Sequence, residues 1–389
     1  MVSYPVITLK PGKEKSVLQG HLWIFSGAVH SKPDELTEGD IVQVHSANGQ
    51  FLGVGHYYPG SIMIRMLTSK PQYINLSFWQ EKIHQAYRVR KYLGIVDKPN
   101  TNAYRLIHAE GDNIPGLIVD VYANNIVLQI QLKGTAKHTS DIVEVLRNIY
   151  PDVESIYVMY SYEEGKNEYL LGQTKQDKTI IQENGHLFYV DWENGQKTGF
   201  FIDQRENRKW IAEYCQNKNV LNAFSYSGAF SVYALRAGAN LVHSVDSAKK
   251  AITTCEANIE LNFGKTDKHQ AVLADCFDYL KTIDDQYDVI ILDPPAFAKH
   301  LHSVKKACMG YKQINLQAMR RIRKEGILAT FSCSQVIDKE LFRKIIFSAA
   351  VDSGRKVQII HQCTQPADHP VNIYHPESEY LKGLILYVE

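Results

Sequence analysis

Cys333 stands in Ser332-Cys333-Ser334, directly after the apolar run Gly326 to Phe331, and a second apolar run, Val289 to Leu292, leads into Asp293-Pro294-Pro295. Two neighbouring parallel strands that each end in a competent side chain would set a thiol and a carboxylate at one rim of a sheet, where open α/β folds hold their ligands. The chemistry this suggests is covalent catalysis by cysteine. The two prolines fix the backbone after Asp293 and stiffen its aim. The plainer alternative for Asp293 is a buried capping acid.

The other cysteines, Cys215, Cys255, Cys276, Cys308 and Cys363, form no C-x-x-C pair. That argues against a zinc or iron-sulfur site and against a disulfide framework, and leaves reduced thiols that act as small buried hydrophobes. No metal is expected.

Beyond Asn194 the rhythm is strand, loop, helix. Val220 to Asn222, Leu241 to Val245, Asp288 to Leu292 and Gly326 to Phe331 are apolar runs separated by helix-length segments, as a parallel sheet covered on both faces requires. The C-terminal half therefore reads as doubly wound α/β. Its first strand enters Asn222-Ala223-Phe224-Ser225-Tyr226-Ser227-Gly228-Ala229-Phe230, the position of a nucleotide-binding loop, but the G-x-G-x-x-G glycines that seat a pyrophosphate are mostly missing. That disfavours NAD and FAD. An adenosine cofactor without phosphates tolerates the bulkier loop and still needs an acid at the end of the second strand for the ribose hydroxyls, where Asp246 stands. Asp275, after Ala271 to Ala274, is placed to meet an adenine edge. Each acid alone reads as a cap or a solvated loop residue, but three at successive strand ends read as a cofactor site, and S-adenosylmethionine fits it best.

With 389 residues, two or three domains are expected. From Val2 to about Thr68 the pattern is short and β-like, with Asn48-Gly49 as a hairpin turn between Ile41 to Val44 and Phe51 to Gly55. A helix is predicted over Ser77 to Leu93. Strands follow near Gly116 to Tyr122 and Ile126 to Ile130, then a helix near Thr139 to Ile149 and strands near Ser155 to Met159 and Leu187 to Trp192, an α+β middle region. The boundaries drawn are 1–70, 71–190 and 191–389, with no internal repeat.

A net charge of +1, 44% hydrophobic and 22% charged residues suit a soluble globular protein and not one coated in base for nucleic acid. The N-terminus has no signal-peptide stretch and no run is long enough for a bilayer, so a cytoplasmic protein with no membrane partner is expected. Between Ala298 and Lys324, Lys299, Lys305, Lys306, Lys312, Arg320, Arg321, Arg323 and Lys324 occur without one acidic residue, a stretch suited to phosphates. Arg320 to Lys324 also fall where a helix beginning near Tyr311 would end, and cations there favour the macrodipole.

The strings GQKTGFFIDQREN (Gly195 to Asn207), LNAFSYSGAFSVYALRAGA (Leu221 to Ala239), DVIILDPPAFAK (Asp288 to Lys299) and LATFSCSQ (Leu328 to Gln335) resemble the class I S-adenosylmethionine-dependent ribosomal RNA large-subunit cytosine-C5 methyltransferases. GHLWIFSGAV (Gly20 to Val29) is similar to the start of that family's PUA-type RNA-binding domain, and RLIHAEGDNIPGLIVDVY (Arg105 to Tyr122) to its central domain. The resemblance covers essentially the whole chain. It implies a PUA-like domain, a central α+β domain and a Rossmann-like methyltransferase domain acting on 23S ribosomal RNA; it leaves open a homodimer.

Carried over by motif, Phe200, Gln204 and Arg205 would line the methionine side of the cofactor, with Phe224, Ser225, Tyr226, Ser227 and Gly228 as the loop beneath it. Asp246 would hold the ribose and Asp275 the adenine. Ala229 departs from the second glycine of many relatives. Cys333 matches the family's nucleophile: a thiolate adding at cytosine C6 makes C5 enamine-like and able to accept a methyl group. A helix expected after Ser334 would bring its N-terminus near Cys333 and favour the anion, against Asp338 and Glu340. Asp293 is the candidate for gripping the cytosine amine and N3 at the cofactor's edge, flanked by Pro294 and Pro295. Phe297 is the candidate to stack on an unstacked base, and Lys299, Lys305, Lys306 and Lys312 the candidates for phosphate contacts. The base that removes the C5 proton is not named. Three rivals stand: an exocyclic-amine N-methyltransferase using Asp-Pro-Pro, a non-catalytic RNA-binding assembly factor, and a small-molecule methyltransferase.

Overall fold

The computed structural model describes residues 4–163, 165–173, 179–298 and 300–389, so the phosphate contact expected of Lys299 lies outside the described residues. The chain forms two compact units. The first comprises Met1–Thr179, Asp191–Gly199 and Ala367–Ser378, and the second Ile180–Val190, Phe200–Pro366 and Glu379–Glu389.

In the first unit, alternation of apolar and polar residues builds a six-stranded sheet in the order Trp23–Phe25, Ile62–Thr68, Phe51–Tyr57, Ile41–His45, Val6–Leu9, Val29–Ser31. Ile41–His45 and Phe51–Tyr57 pair antiparallel, with Val44 opposite Gly53 and Gly49 in the turn at φ +79°, the left-handed conformation that such a turn needs. The helix predicted from Ser77 runs Leu76–Tyr92, capped by the Asn75 side chain, which accepts from Phe78 N at 3.2 Å. A five-stranded sheet follows, in the order Glu168–Leu171, Ser155–Tyr160, Asn125–Ile130, Leu117–Tyr122, Ala103–His108, with the helix Thr139–Ile149 where the sequence placed it.

Buried charge ties this unit to a segment distant in sequence. Arg90 is fully buried, pairs with Asp112 (Nη2 to Oδ2 2.7 Å) and donates to the Asp368 carbonyl at 2.8 Å. Arg105 forks onto Asp120 with two 2.8 Å bonds, and its backbone N–H donates to the Asp368 carboxylate at 3.1 Å. Residues 367–378, read from the sequence as part of the methyltransferase block, thus belong with the first unit. Conversely, the hairpin Thr179–Glu183 and His186–Val190, placed by the sequence with the middle region, belongs with the second unit from Ile180 onward.

The second unit holds a seven-stranded sheet. Its strands are β1 (Asn219–Ala223), β2 (Leu241–Asp246), β3 (His269–Leu273), β4 (Val289–Leu292), β5 (Gly326–Ser332), β6 (Val357–Thr364) and β7 (Lys382–Val388). They lie in the order β3-β2-β1-β4-β5-β7-β6, the first five parallel and β7 antiparallel to both neighbours. Its helices are α1 (Arg205–Ala212), α2 (Ala229–Arg236), α3 (Lys249–Phe263), α4 (Cys276–Thr282), α5 (Val304–Arg321) and α6 (Lys339–Ser353). Val289 to Leu292 are completely buried, as a central strand covered on both faces requires. The hairpin leans on α3 through side-chain amides: Asn258 Oδ1 accepts from Tyr189 N at 2.8 Å and Asn262 Oδ1 from Leu187 N at 2.9 Å.

One local expectation is corrected. Helix α5 starts at Val304, not near Tyr311, because Ala307, Tyr311, Ile314 and Ala318 recur at helical spacing and are all buried. Helix α6 starts at Lys339 behind its cap Asp338, which accepts from Leu341 N at 2.7 Å. Residues 334–338 lie between Cys333 and the helix in sequence, and Glu340 falls in its first turn.

Candidate active site

Strand order reverses at β1, whose two neighbours are β2 and β4, and the residues after β1, β2, β4 and β5 share the carboxyl rim of the sheet at that switch point. After β1 the chain turns sharply: Phe224, Tyr226 and Gly228 have φ of +60°, +45° and +73°. Two bulky residues in that region mark a conformation held by its surroundings, a frequent property of functional loops. The holds are visible: Phe224 N donates to Cys276 Sγ at 3.2 Å, Ser225 N to the Val245 carbonyl at 3.0 Å, and Tyr226 N to Asp246 Oδ2 at 2.9 Å. The Ser227 carbonyl accepts from Asn258 Nδ2 at 2.8 Å. At Gly228 a Cβ would lie 2.3 Å from Cys255 Sγ, so only glycine lets α2 begin there against α3.

Asp246 ends β2, and its carboxylate also accepts from Ala248 N at 2.9 Å. Asp275 follows β3 and caps α4, accepting from Asp278 N at 3.1 Å, the plainer role named for it. Asp293 follows β4, and its Oδ1 accepts from Gln204 Nε2 at 2.9 Å. Gln204 in turn accepts from Asn207 Nδ2 at 2.6 Å through its Oε1. The structure thus joins two residues of the sequence-derived site that lie 89 positions apart. Arg205 is buried and reaches Glu206 at 3.4 Å. Phe200 is buried against Phe188 (ring centroids 5.0 Å) and under the Arg208 guanidinium, whereas its neighbour Phe201 meets the Tyr226 ring edge-on at 5.0 Å.

Cys333 follows β5, half-buried, one strand over from Asp293. Cys215, Cys255, Cys276 and Cys363 are buried as the sequence suggested, and burial pushes each up to about 12; Cys308 is only half-buried, and its thiol is raised. The adjoining Ser334 is fully buried. Its Oγ hydrogen-bonds the Tyr311 hydroxyl at 2.9 Å and accepts from Ala298 N at 3.3 Å. Pro294 is buried and Pro295 exposed. Phe297 is half-buried and packs on Tyr311 at 4.5 Å, with Phe277 and Phe224 further out, so only part of its ring is left for a base.

Lys305 and Lys306 are exposed on the first turn of α5, but Lys312 is ion-paired to Asp352 at 2.7 Å. Sequence reasoning missed Lys382, whose ammonium donates to the Ser334 and Tyr380 carbonyls at 2.6 and 2.8 Å. Its signal was a lone lysine opening the apolar run Lys382-Gly383-Leu384-Ile385-Leu386.

Among the described residues, His21, His375 and Glu377 of the first unit bring ligand-type atoms within 4.8 Å of one another. His375 abuts the Trp23 ring on which the Arg65 guanidinium already rests (4.5 and 5.0 Å to the ring), so a cation is built into that locality.

The sheet order, the turned loop after β1 and the acids at the strand ends define a Rossmann-like S-adenosylmethionine-dependent methyltransferase. The corresponding family model, S-adenosylmethionine-dependent methyltransferase, matches residues 156–337, and a PUA-like domain model matches residues 7–69. The chain is 41% identical to ribosomal RNA large subunit methyltransferase I of Pseudoalteromonas atlantica, over 97% of this chain and 98% of that protein. It is 38% identical to the Escherichia coli K12 protein of the same name, over 97% and 98%. The crystal structure of SMU.776 complexed with SAH superposes with a TM-score of 0.88 at 26% identity, covering 99% of this chain and all of that one. The chain belongs to the ribosomal RNA large subunit methyltransferase I family.

S-adenosylmethionine is the cofactor of this family's methyltransferase domain, and the residues present fit it. Ser225 Oγ is buried in the loop with no hydrogen-bond partner among the described residues, a polar atom that a ligand could satisfy. Asp246 offers a carboxylate beside the loop. Asp246→Ala is expected to weaken S-adenosylmethionine binding by roughly tenfold to a hundredfold, as loss of a charged hydrogen bond costs about 1.5–3 kcal/mol. Titration calorimetry checks this, and unchanged affinity would remove Asp246 from the site.

Proposed function

We propose that this protein methylates cytosine C5 in large-subunit ribosomal RNA through a covalent bond from Cys333 to cytosine C6. The observation that carries this reading is the pair of adjacent parallel strands, β4 and β5, ending in Asp293 and Cys333 beside the turned loop after β1. The relatives, named as ribosomal RNA large subunit methyltransferases, supply the substrate class.

The cofactor supplies an electrophilic methyl group when bound. The Cys333 sulfur adds to C6, which drives electron density onto C5 and makes it the nucleophile. After methylation C5 carries both the methyl group and its proton; loss of that proton and cleavage of the sulfur-C6 bond restore the aromatic ring and the free thiol. Asp293 accepts from Gln204 at Oδ1, and its carboxylate is assigned to accept from the cytosine amine. Phe200, Gln204, Arg205, residues 224–228, Asp246 and Asp275 form the cofactor side.

The test is transfer of labelled methyl to purified large-subunit RNA, with the product nucleoside identified by mass spectrometry. Five-methylcytidine is expected; a base methylated on its exocyclic amine would replace this reading by the N-methyltransferase one. RNA binding without S-adenosylmethionine-dependent transfer would favour an assembly factor.

Lys305 and Lys306 are assigned to phosphate contacts, as their exposure permits, and Lys312 is set aside because Asp352 holds it. Replacing both Lys305 and Lys306 by glutamine should flatten the plot of log affinity against log salt by about 1.4 for single-stranded RNA. An unchanged slope in filter binding removes both from the interface. No helix among the described residues is long and apolar enough to cross a membrane.

A further inference from the structure

We propose that Lys382 is a positioning residue for the nucleophile: its ammonium, locked onto the carbonyls of Ser334 and Tyr380, holds Cys333 in the thiolate form. This rests on the reading of Cys333 as the nucleophile.

The geometry follows from the sheet. Strand β7 enters antiparallel beside β5, with Lys382 in register with Ser332, so the lysine's backbone lies one residue from the thiol. Lys382 is 5% exposed. Two of its three N–H donors are taken, by the Ser334 carbonyl at 2.6 Å and the Tyr380 carbonyl at 2.8 Å. Ser334 is the residue after Cys333, so the bond that anchors the ammonium also anchors the peptide carrying the thiol. Among the described residues its hydrogen bonds go to carbonyls; a buried cation so held is poorly compensated, and a neighbouring anion adds stabilisation.

The electrostatics of the site agree. Burial lowers Lys382 to about 8, and the charge on Cys333 is the largest influence in the opposite direction. The attraction is mutual, so the ammonium favours the thiolate as the thiolate favours the ammonium. The other charges acting on Lys382 are Glu379, Asp338 and Lys339, with Glu379 and Lys339 paired to each other. The Tyr311 hydroxyl is engaged with Ser334 Oγ. The charge of Lys382 is present below about pH 8 and lost above it, so its help covers neutral pH, where an ordinary thiol with a pKa of about 8.5 is only a few per cent ionised.

The experiment is the rate of Cys333 alkylation by iodoacetamide against pH, on the full-length chain, read by peptide mass spectrometry. Wild type should show a midpoint clearly below 8.5. Lys382→Gln should move it up by about one pH unit or more, and Lys382→Arg, which keeps the charge, should bring it back towards wild type. A midpoint unchanged in Lys382→Gln, or moved equally in Lys382→Arg, overturns the proposal. Should Lys382→Gln fail to fold, thiolate absorbance at 240 nm of wild type minus Cys333→Ser decides alone: a midpoint at or above 8.5 overturns it. None of these readings involves methyl transfer. A low, Lys382-dependent midpoint alongside full methylation by Cys333→Ser would refute the nucleophile and leave the electrostatic pairing standing.

Discussion

Cys333→Ala is expected to lower methyl transfer to large-subunit RNA by about a thousandfold or more while leaving S-adenosylmethionine affinity within about twofold. The size follows from the chemistry. Without a sulfur adduct at C6, cytosine C5 has no enamine character, and correct placement of the methyl donor cannot replace it. Binding should survive because the residues proposed for the cofactor lie on the β1 to β4 side of the rim, while Cys333 follows β5. The half-buried thiol leaves room for alanine without a closed cavity, so folding is not the quantity tested. Single-turnover transfer and calorimetry on the same preparation separate the two effects. A variant as active as wild type would end the covalent mechanism, and loss of transfer together with cofactor binding would point to a structural role.

The second large effect is on stability. Arg208 is completely buried in the second unit and forks onto Glu183, with Nε and Nη2 each 2.8 Å from the carboxylate. The Tyr233 hydroxyl adds a bond to Glu183 Oε1 at 2.9 Å, and the guanidinium lies 5.0 Å from the Phe200 ring. Glu183 is on the hairpin, Arg208 on α1 and Tyr233 on α2, so one buried charge cluster fastens three elements. Glu183→Ala strands a guanidinium in the interior, which costs about 3–5 kcal/mol, or roughly 10 °C in the melting transition of a unit of this size. The double variant Glu183→Ala with Arg208→Met should recover much of the loss, because the penalty belongs to the unpaired charge more than to the missing bond. A single variant that melts with wild type, or a double variant as unstable as the single, would show that the pair is not what secures the hairpin.

This cluster also bears on the site. Phe200, under Arg208, begins the segment that carries Gln204 to Asp293. Loosening the hairpin should therefore raise the concentration of S-adenosylmethionine needed for half-saturation before it abolishes activity.

Much of the second unit was legible in the residue pattern. Val289 to Leu292 and Gly326 to Phe331 are short apolar runs flanked by turn residues, and burial on both faces leaves a central parallel strand few other choices. A side chain just after such a run must emerge at the carboxyl rim, so Asp246, Asp293 and Cys333 could be placed there before any coordinates. The Asn48-Gly49 hairpin and the helix Leu76–Tyr92 were legible for the same local reason: turn chemistry and periodicity act within a few residues.

Tertiary structure alone decided the rest. Nothing local in Asp368 marks it as the partner of Arg90 and Arg105, and nothing in Gln204 points to Asp293. The closing strands β6 and β7 escaped notice, and Lys382 with them. Insertion of β7 between β5 and β6, with Lys382 opposite Ser332 on one side and Thr364 on the other, carries that charge to the thiol. Sequence determines which face a residue presents and where its element begins and ends, because those depend on near neighbours. Which distant residue meets it depends on strand order and register, which are set by the packing of the whole sheet.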